Sequence, residues 1–116
     1  MVGHNVTATI KLKITKTGGL VANRFVIGDG SDYAAITSKS PGVLMFATDA
    51  NAWGDVAVQG IAIVESTGTI AVGDWVMANS SDGKAVVASG TWGTNFPRGI
   101  ALDAASAGEF IRVKLV

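Results

Sequence analysis

The beginning of the chain alternates apolar and polar side chains at every second position. Val, Ala, Ile or Leu stands at each even position from 6 to 14, and Thr or Lys stands at each odd position from 7 to 15. A strand places every second side chain on the same face, whereas a helix with 3.6 residues per turn would scatter these apolar side chains around its axis. The pattern therefore predicts a β-strand over residues 6–15, preceded by a short arm.

Turn residues divide the rest of the chain into short β-rich segments. Residues 56–64 are apolar at both odd and even positions, except at Gln59. This pattern predicts one strand that is covered on both faces. The further predicted strands are residues 20–27, 33–37, 43–47, a hairpin of 75–78 with 85–88, 99–102 and 110–116. Asp103 is expected to cap one helical turn in the alanine-rich link that follows it. With 15 glycines and only two prolines, the pattern predicts an all-β sandwich or small barrel with at most one short helical turn.

The length of the chain sets the expected domain organisation. A chain of 116 residues is within the size range of one domain of about 100–200 residues. We expect a single domain over residues 1–116, with an N-terminal arm and first strand in residues 1–16 and a β core in residues 17–116.

The composition indicates which partners to expect. Nine basic and nine acidic residues cancel, and charged residues make up only 16% of the chain, below the usual value of about 25%. We therefore expect neither nucleic acid nor a membrane as partner. Hydrophobic residues make up 48%, which indicates surface reserved for a protein partner. The first residues lack the pattern of a secretory signal, so a cytosolic product is expected.

Residues that could perform catalysis or bind metal are few. There is no cysteine, and the one histidine, His4, is close to the N-terminus, which argues against a His/Cys metal site and a catalytic triad. Residues 29–32 (Asp-Gly-Ser-Asp) resemble part of a calcium loop, but Ser40 stands where an acidic ligand is required, so we interpret them as a turn. We expect no enzymatic activity, no metal and no cofactor.

Aromatic and basic residues are the candidates for protein contacts. Trp75 lies in a predicted strand and is expected in the core. Trp53 stands in a predicted polar loop at residues 48–55 and Trp92 in a Gly/Asn/Thr-rich loop, and both are assigned equally to loop packing or an interface. Residues 1–28 contain basic residues and no acid, so the first strand has a basic face. This face either protects an edge strand from unwanted pairing or meets an acidic partner, to whose sheet it could add a strand. The candidate contact residues are His4, Lys11, Lys13, Trp53, Trp92 and Phe96.

The second half of the chain contains a recognisable series of motifs. Gly-Asp-Trp-Val at 73–76, Asp-Gly-Lys at 82–84, Arg-Gly-Ile-Ala-Leu-Asp-Ala-Ala-Ser-Ala-Gly-Glu at 98–109 and Ile-Arg-Val-Lys-Leu at 111–115 follow one another in order. Over residues 56–116 this series resembles the capsid decoration proteins of tailed phages, also called cement or head-stabilising proteins, and is similar to the lambda-type head decoration proteins. The resemblance implies a β-sandwich or β-tulip fold, with an extended N-terminal strand.

The resemblance also implies a function. Such a protein would bind the outside of the mature capsid, bridge neighbouring major capsid proteins and stabilise the head against internal DNA pressure. It would be made in the host cytoplasm and would act in the virion as a homotrimer, with a dimer as second choice. Two alternatives remain at this point: a carbohydrate- or peptide-binding β-sandwich that stacks ligands on Trp53 and Trp92, and a hydrolase that uses a pair of Asp or Glu residues.

Overall fold

The structure, a computed structural model, describes residues 7–35, 40–79, 82–88 and 97–116. These residues form nine strands and no helix: β1 (Ala8–Lys13), β2 (Arg24–Val26), β3 (Gly42–Leu44), β4 (Trp53–Gln59), β5 (Ile61–Glu65), β6 (Trp75–Ala78), β7 (Ala85–Val87), β8 (Pro97–Ala101) and β9 (Phe110–Leu115). The predicted all-β class is confirmed.

The strands form two antiparallel sheets that pack in a sandwich-like arrangement, without closing into a barrel. The four-stranded sheet has the order β1-β4-β3-β2, and the five-stranded sheet has the order β5-β9-β8-β6-β7. The predicted hairpin is present as β6 and β7, which pair with Met77 opposite Val86. The predicted first strand is present as β1, which pairs with β4 far along the chain.

The central part of the four-stranded sheet is covered on both faces. Phe25, Val43 and Ala57 face the five-stranded sheet and belong to the larger core cluster. Their neighbours in sequence, Val26, Leu44 and Val56, point to the opposite face and pack with Ile14 and Leu20 in a second cluster. The segment that follows β1 therefore crosses the outer face of the sheet and anchors the N-terminal strand.

The prediction of one strand over residues 56–64 is wrong. Strand β4 ends at Gln59 and β5 begins at Ile61. Gly60 between them has a φ of 89°, a backbone conformation that glycine adopts without steric cost. The chain passes from one sheet to the other at this residue, so the apolar run serves two strands in two sheets.

Three smaller predictions also need correction. Trp75 is not in the core, because 41% of it is exposed, although Val76 beside it is fully buried. Residues 53–55, predicted as loop, form the start of β4. In the predicted strand at 33–37, Tyr33 makes an isolated bridge to Val26, and residues 36–39 lie outside the described residues.

The link after β8 contains no helical turn, and Asp103 has a different role from the predicted cap. Its Oδ1 accepts a hydrogen bond from Arg112 Nη2 at 2.9 Å, and its Oδ2 accepts hydrogen bonds from Arg112 Nε at 3.0 Å and from the Arg112 backbone N–H at 2.9 Å. These bonds fix the link against β9. They also lower the pKa of the Asp103 carboxyl from 3.8 to about 2.

This lowered pKa predicts an acid dependence of stability. The ion pair stabilises the fold fully above the unfolded-state pKa of 3.8, and its contribution is lost as the pH falls toward about 2. Asp103→Asn should therefore melt at a lower temperature than the wild type at pH 5. Between pH 4 and pH 2 its melting temperature should fall by less than that of the wild type. Thermal melts at the three pH values measure this. Asp49→Asn, at an exposed position, is the control. An equal fall of the melting temperature in both variants between pH 4 and pH 2 would contradict the prediction.

Candidate protein-binding surface

Strands β1 and β4 form a two-stranded ribbon that brings three of the predicted contact residues together. In its register Lys11 lies opposite Asp55, and Lys13 lies opposite Trp53. Directly opposite residues in antiparallel strands share a face of the sheet. Lys11, Lys13, Trp53 and Asp55 therefore form one surface, which we call the ribbon face.

The ribbon face is exposed and carries a positive charge. Trp53, at the start of β4, is 65% exposed, so most of its surface is available to a partner. The Lys11 Nζ lies 2.6 Å from Asp55 Oδ1, so this pair is internally neutralised. Lys13 is exposed and has no ion pair within the described residues. The face thus combines a large exposed aromatic side chain with an uncompensated cation.

Strand β1 is also the open edge of the fold. Five of its six residues are exposed. The free edges of the other outer strands carry hydrogen bonds: the backbone N–H of Phe25 in β2 donates to Gly83 O, that of Glu65 in β5 donates to Asn23 O, and Ala85 O in β7 accepts from Thr67. Among the described residues, the outer edge of β1 lacks such bonds along most of its length. An edge of this kind can accept a further strand.

The turn at residues 29–32 limits this open edge at its end. Asp29 Oδ1 accepts hydrogen bonds from the backbone N–H and the hydroxyl of Ser31, at 3.0 and 2.6 Å, and these bonds lower the pKa of Asp29. Gly30 has a φ of 74°, and a Cβ there would lie 2.0 Å from Lys13 O. The turn interpretation is confirmed, and the turn packs directly against the end of β1.

An apolar groove of about 200 Å³ lies between the two sheets. Its lining consists of Asn23, Val43, Met45, Phe46, Ala57, Ile61, Ala62 and Ile63. Phe46 is 62% exposed and Ile63 is 45% exposed at its mouth. The Met45 backbone N–H donates to Asp55 O at 2.9 Å, which places the groove beside the ribbon face. The groove could not be predicted from the sequence, because residues 43–63 carry no signal that β4 and β5 lie in different sheets.

A charged cluster joins the two sheets near the groove. The Glu65 carboxylate lies 3.4 Å from Arg24 Nη2 and 3.2 Å from Lys84 Nζ. The Arg24 guanidinium also lies 5.1 Å from the centre of the Tyr33 ring, within cation–π distance. These residues come from distant parts of the sequence, so no local pattern could predict the cluster.

Several of the described carboxylates have partners within the fold. Asp55, Glu65 and Asp103 are engaged in ion pairs. A general acid needs a raised pKa, and the pKa values of Asp29 and Asp103 are lowered instead. Within the part of the chain that the structure describes, no group of three His, Cys, Asp or Glu side chains could bind a metal ion.

Three of the predicted contact residues, His4, Trp92 and Phe96, lie outside the described residues. The structure therefore places only Trp53 of the two tryptophans proposed as a stacking platform for sugars. The described residues contain no helix that is long and apolar enough to cross a membrane.

Comparison with known proteins provides the remaining findings. Residues 4–115 match a family model described as phage cement protein. The fold is similar to that of the N-terminal base of the head fiber protein gp8.5 of bacteriophage phi29, with a TM-score of 0.70 and 20% sequence identity. This similarity covers 94% of this chain and 95% of the phi29 chain. No curated protein matches the sequence.

Proposed function

Because the chain belongs to the phage cement protein family, we propose that it binds the outside of the mature phage head and bridges neighbouring major capsid proteins. Membership of this family gives the protein a structural role at the capsid and a place in the virion. In our proposal, the protein is made in the host cytoplasm and adds to the shell after the shell has expanded.

The observation that carries this proposal is the exposed ribbon face. Trp53 is 65% exposed beside the unpaired Lys13, and large aromatic side chains supply most of the binding energy at many protein interfaces. The open edge of β1 adds backbone groups that can pair with a strand of the capsid protein. The basic charge of the ribbon face favours an acidic region of the shell.

The mechanism of head stabilisation would be linkage between binding and shell expansion. A protein that binds only the expanded shell stabilises that state by RT ln(1 + [L]/Kd), about 4 kcal/mol per site at a free concentration a thousandfold above Kd. Many symmetric sites multiply this contribution. Bridging contacts would then resist the outward pressure of packaged DNA without any chemical step.

We propose a homotrimer as the functional unit. Exposed large apolar residues remain outside the ribbon face, among them Val21, Val72 and Val116. Contacts between copies could cover these residues. Light scattering measures the mass of the purified protein, and a mass equal to one chain at all concentrations would contradict the trimer.

Replacement of Trp53 tests the proposed docking surface. Trp53→Ala should weaken binding to expanded heads that lack the protein by at least about tenfold, because loss of an aromatic anchor costs at least 1–2 kcal/mol in many interfaces. Co-sedimentation with the heads over a range of protein concentrations measures the Kd. Trp75→Ala is the matched control, because Trp75 is exposed on the other sheet.

The same experiment tests the function as a whole. Wild-type protein should sediment with expanded heads at a fixed number of copies per head. When it is mixed with unexpanded procapsids, the protein should remain in the supernatant. Equal weakening by Trp53→Ala and Trp75→Ala would contradict the assignment of the ribbon face. Absence of binding of the wild-type protein to expanded heads would contradict the proposed function.

A further inference from the structure

We propose that the groove between the sheets binds one large apolar side chain from an extended, acidic segment of the capsid protein. This inference rests on the proposed function and identifies a second contact surface beside the ribbon face. It assigns a role to Asn23, Phe46 and Lys114, which the sequence did not single out.

The size and lining of the groove determine what can enter it. Its volume of about 200 Å³ is below the range of about 300–1,000 Å³ that is typical of small-molecule sites. All of its lining residues except Asn23 are apolar. A single aliphatic or aromatic side chain fits this volume and chemistry, whereas a sugar would leave its hydroxyl groups without partners.

Asn23 supplies the one polar side chain of the groove. Its backbone is engaged on both sides, because its N–H donates to Leu44 O and its carbonyl accepts from Glu65. Its side-chain amide makes no hydrogen bond with any described residue. An amide carries both a donor and an acceptor. It can therefore bind the N–H and C=O of a peptide whose side chain enters the groove.

The charges around the groove indicate an acidic partner. The two nearby carboxylates are already paired, Asp55 with Lys11 and Glu65 with Arg24 and Lys84. Lys114 lies opposite Ile61, a lining residue, in the register of β5 and β9. It is exposed and has no ion pair among the described residues. The surroundings of the groove are therefore net positive, and an Asp or Glu next to the apolar anchor would pair with Lys114.

Substitutions at the groove test this assignment in the same head-binding assay. We expect Phe46→Ala to weaken binding about tenfold, and Asn23→Gly and Lys114→Glu to weaken it about fivefold each. Asn23 has a φ of 66°, so glycine removes the amide without introducing backbone strain. Phe110→Ala is the matched control for Phe46→Ala, because Phe110 is 55% exposed outside the groove. The control should bind as the wild type does.

A crosslinking experiment identifies the occupant directly. A photoreactive benzoylphenylalanine is placed at position 46 or, as a control, at position 110, and the decorated heads are irradiated and digested. Mass spectrometry should find position 46 joined to a capsid-protein segment in which an apolar residue adjoins Asp or Glu. A crosslink to another copy of this chain, to a segment without a carboxylate, or to nothing would overturn the proposal.

The two proposals fail in different ways. If wild-type protein binds heads and Trp53→Ala weakens binding while the three groove variants bind normally, the groove assignment falls and the cement function stands. If the wild type does not bind heads, both fall. Thermal melts of each variant confirm that the folded domain was tested.

Discussion

Replacing Phe25 with Ala should lower the free energy of unfolding by about 3–5 kcal/mol, the usual range for a buried Phe. Phe25 is fully buried in β2, between the two sheets. Seven of the fifteen buried residues in its cluster are Ala, and such short side chains cannot move to fill the cavity left by a phenyl ring. The melting temperature should fall by about 12 °C or more, at about 4 °C per kcal/mol.

Chemical denaturation and thermal melts of the purified variant measure this effect. Phe110→Ala is the control, because Phe110 is 55% exposed and its removal leaves no cavity. Since small domains have a total stability of about 5–15 kcal/mol, Phe25→Ala should also lower the amount of folded protein in cells. A loss below about 1 kcal/mol would show that the two sheets close over the cavity, contrary to this account of the core.

Gly42→Ala should destabilise the fold by about 3 kcal/mol, at the upper end of the usual cost of overpacking. A Cβ at Gly42 would lie 1.7 Å from Ala57 O and 3.3 Å from Val58 Cα. Both of these atoms belong to the backbone of β4, so no side-chain rotation can relieve the clash. Strand β3 would have to move away from β4, although Val43 and Leu44 fix it in both core clusters.

The matched control for Gly42→Ala is Gly68→Ala. A Cβ at Gly68 meets nothing within 4 Å, so this substitution should leave stability unchanged or raise it slightly by restricting the unfolded chain. Denaturation curves of the two variants measured side by side give the difference. Equal stability of the two variants would contradict the close approach of β3 and β4.

The strands that could be predicted from the sequence are those with a local signal. The alternation of residues 6–15 is sufficient to predict β1, and the turn residues between β6 and β7 are sufficient to predict their hairpin. In contrast, a run of apolar residues carries no information about where the chain changes sheet. Gly60 provides the change through a φ of 89°, and a glycine in sequence does not reveal which φ it adopts.

The candidate surface was only partly predictable for a similar reason. The basic character of β1 could be expected from the sequence, whereas exposure of Trp53 was one of two equal alternatives. Their position on one face depends on the register of β1 with β4. That register joins residues 40 or more positions apart, such as Lys13 and Trp53. Position in a strand predicts a core role for Trp75, but successive side chains of a strand point to opposite faces, and here Val76 is the one that points inward.

The arrangement of β1 has a further consequence for how the domain opens. Among the strands that the structure describes, β1 has extensive contact with β4 alone. The residue that anchors the chain, Ile14, lies beyond the end of the strand in a fully buried position. Local unfolding of a segment costs less free energy when the segment buries little apolar surface. Detachment of β1 would therefore cost its pairing with β4 and the contact of Leu12 with the second core cluster, while Ile14 would remain buried. Pairing of β1 with a strand of another protein in place of β4 would then cost the free energy of this partial opening.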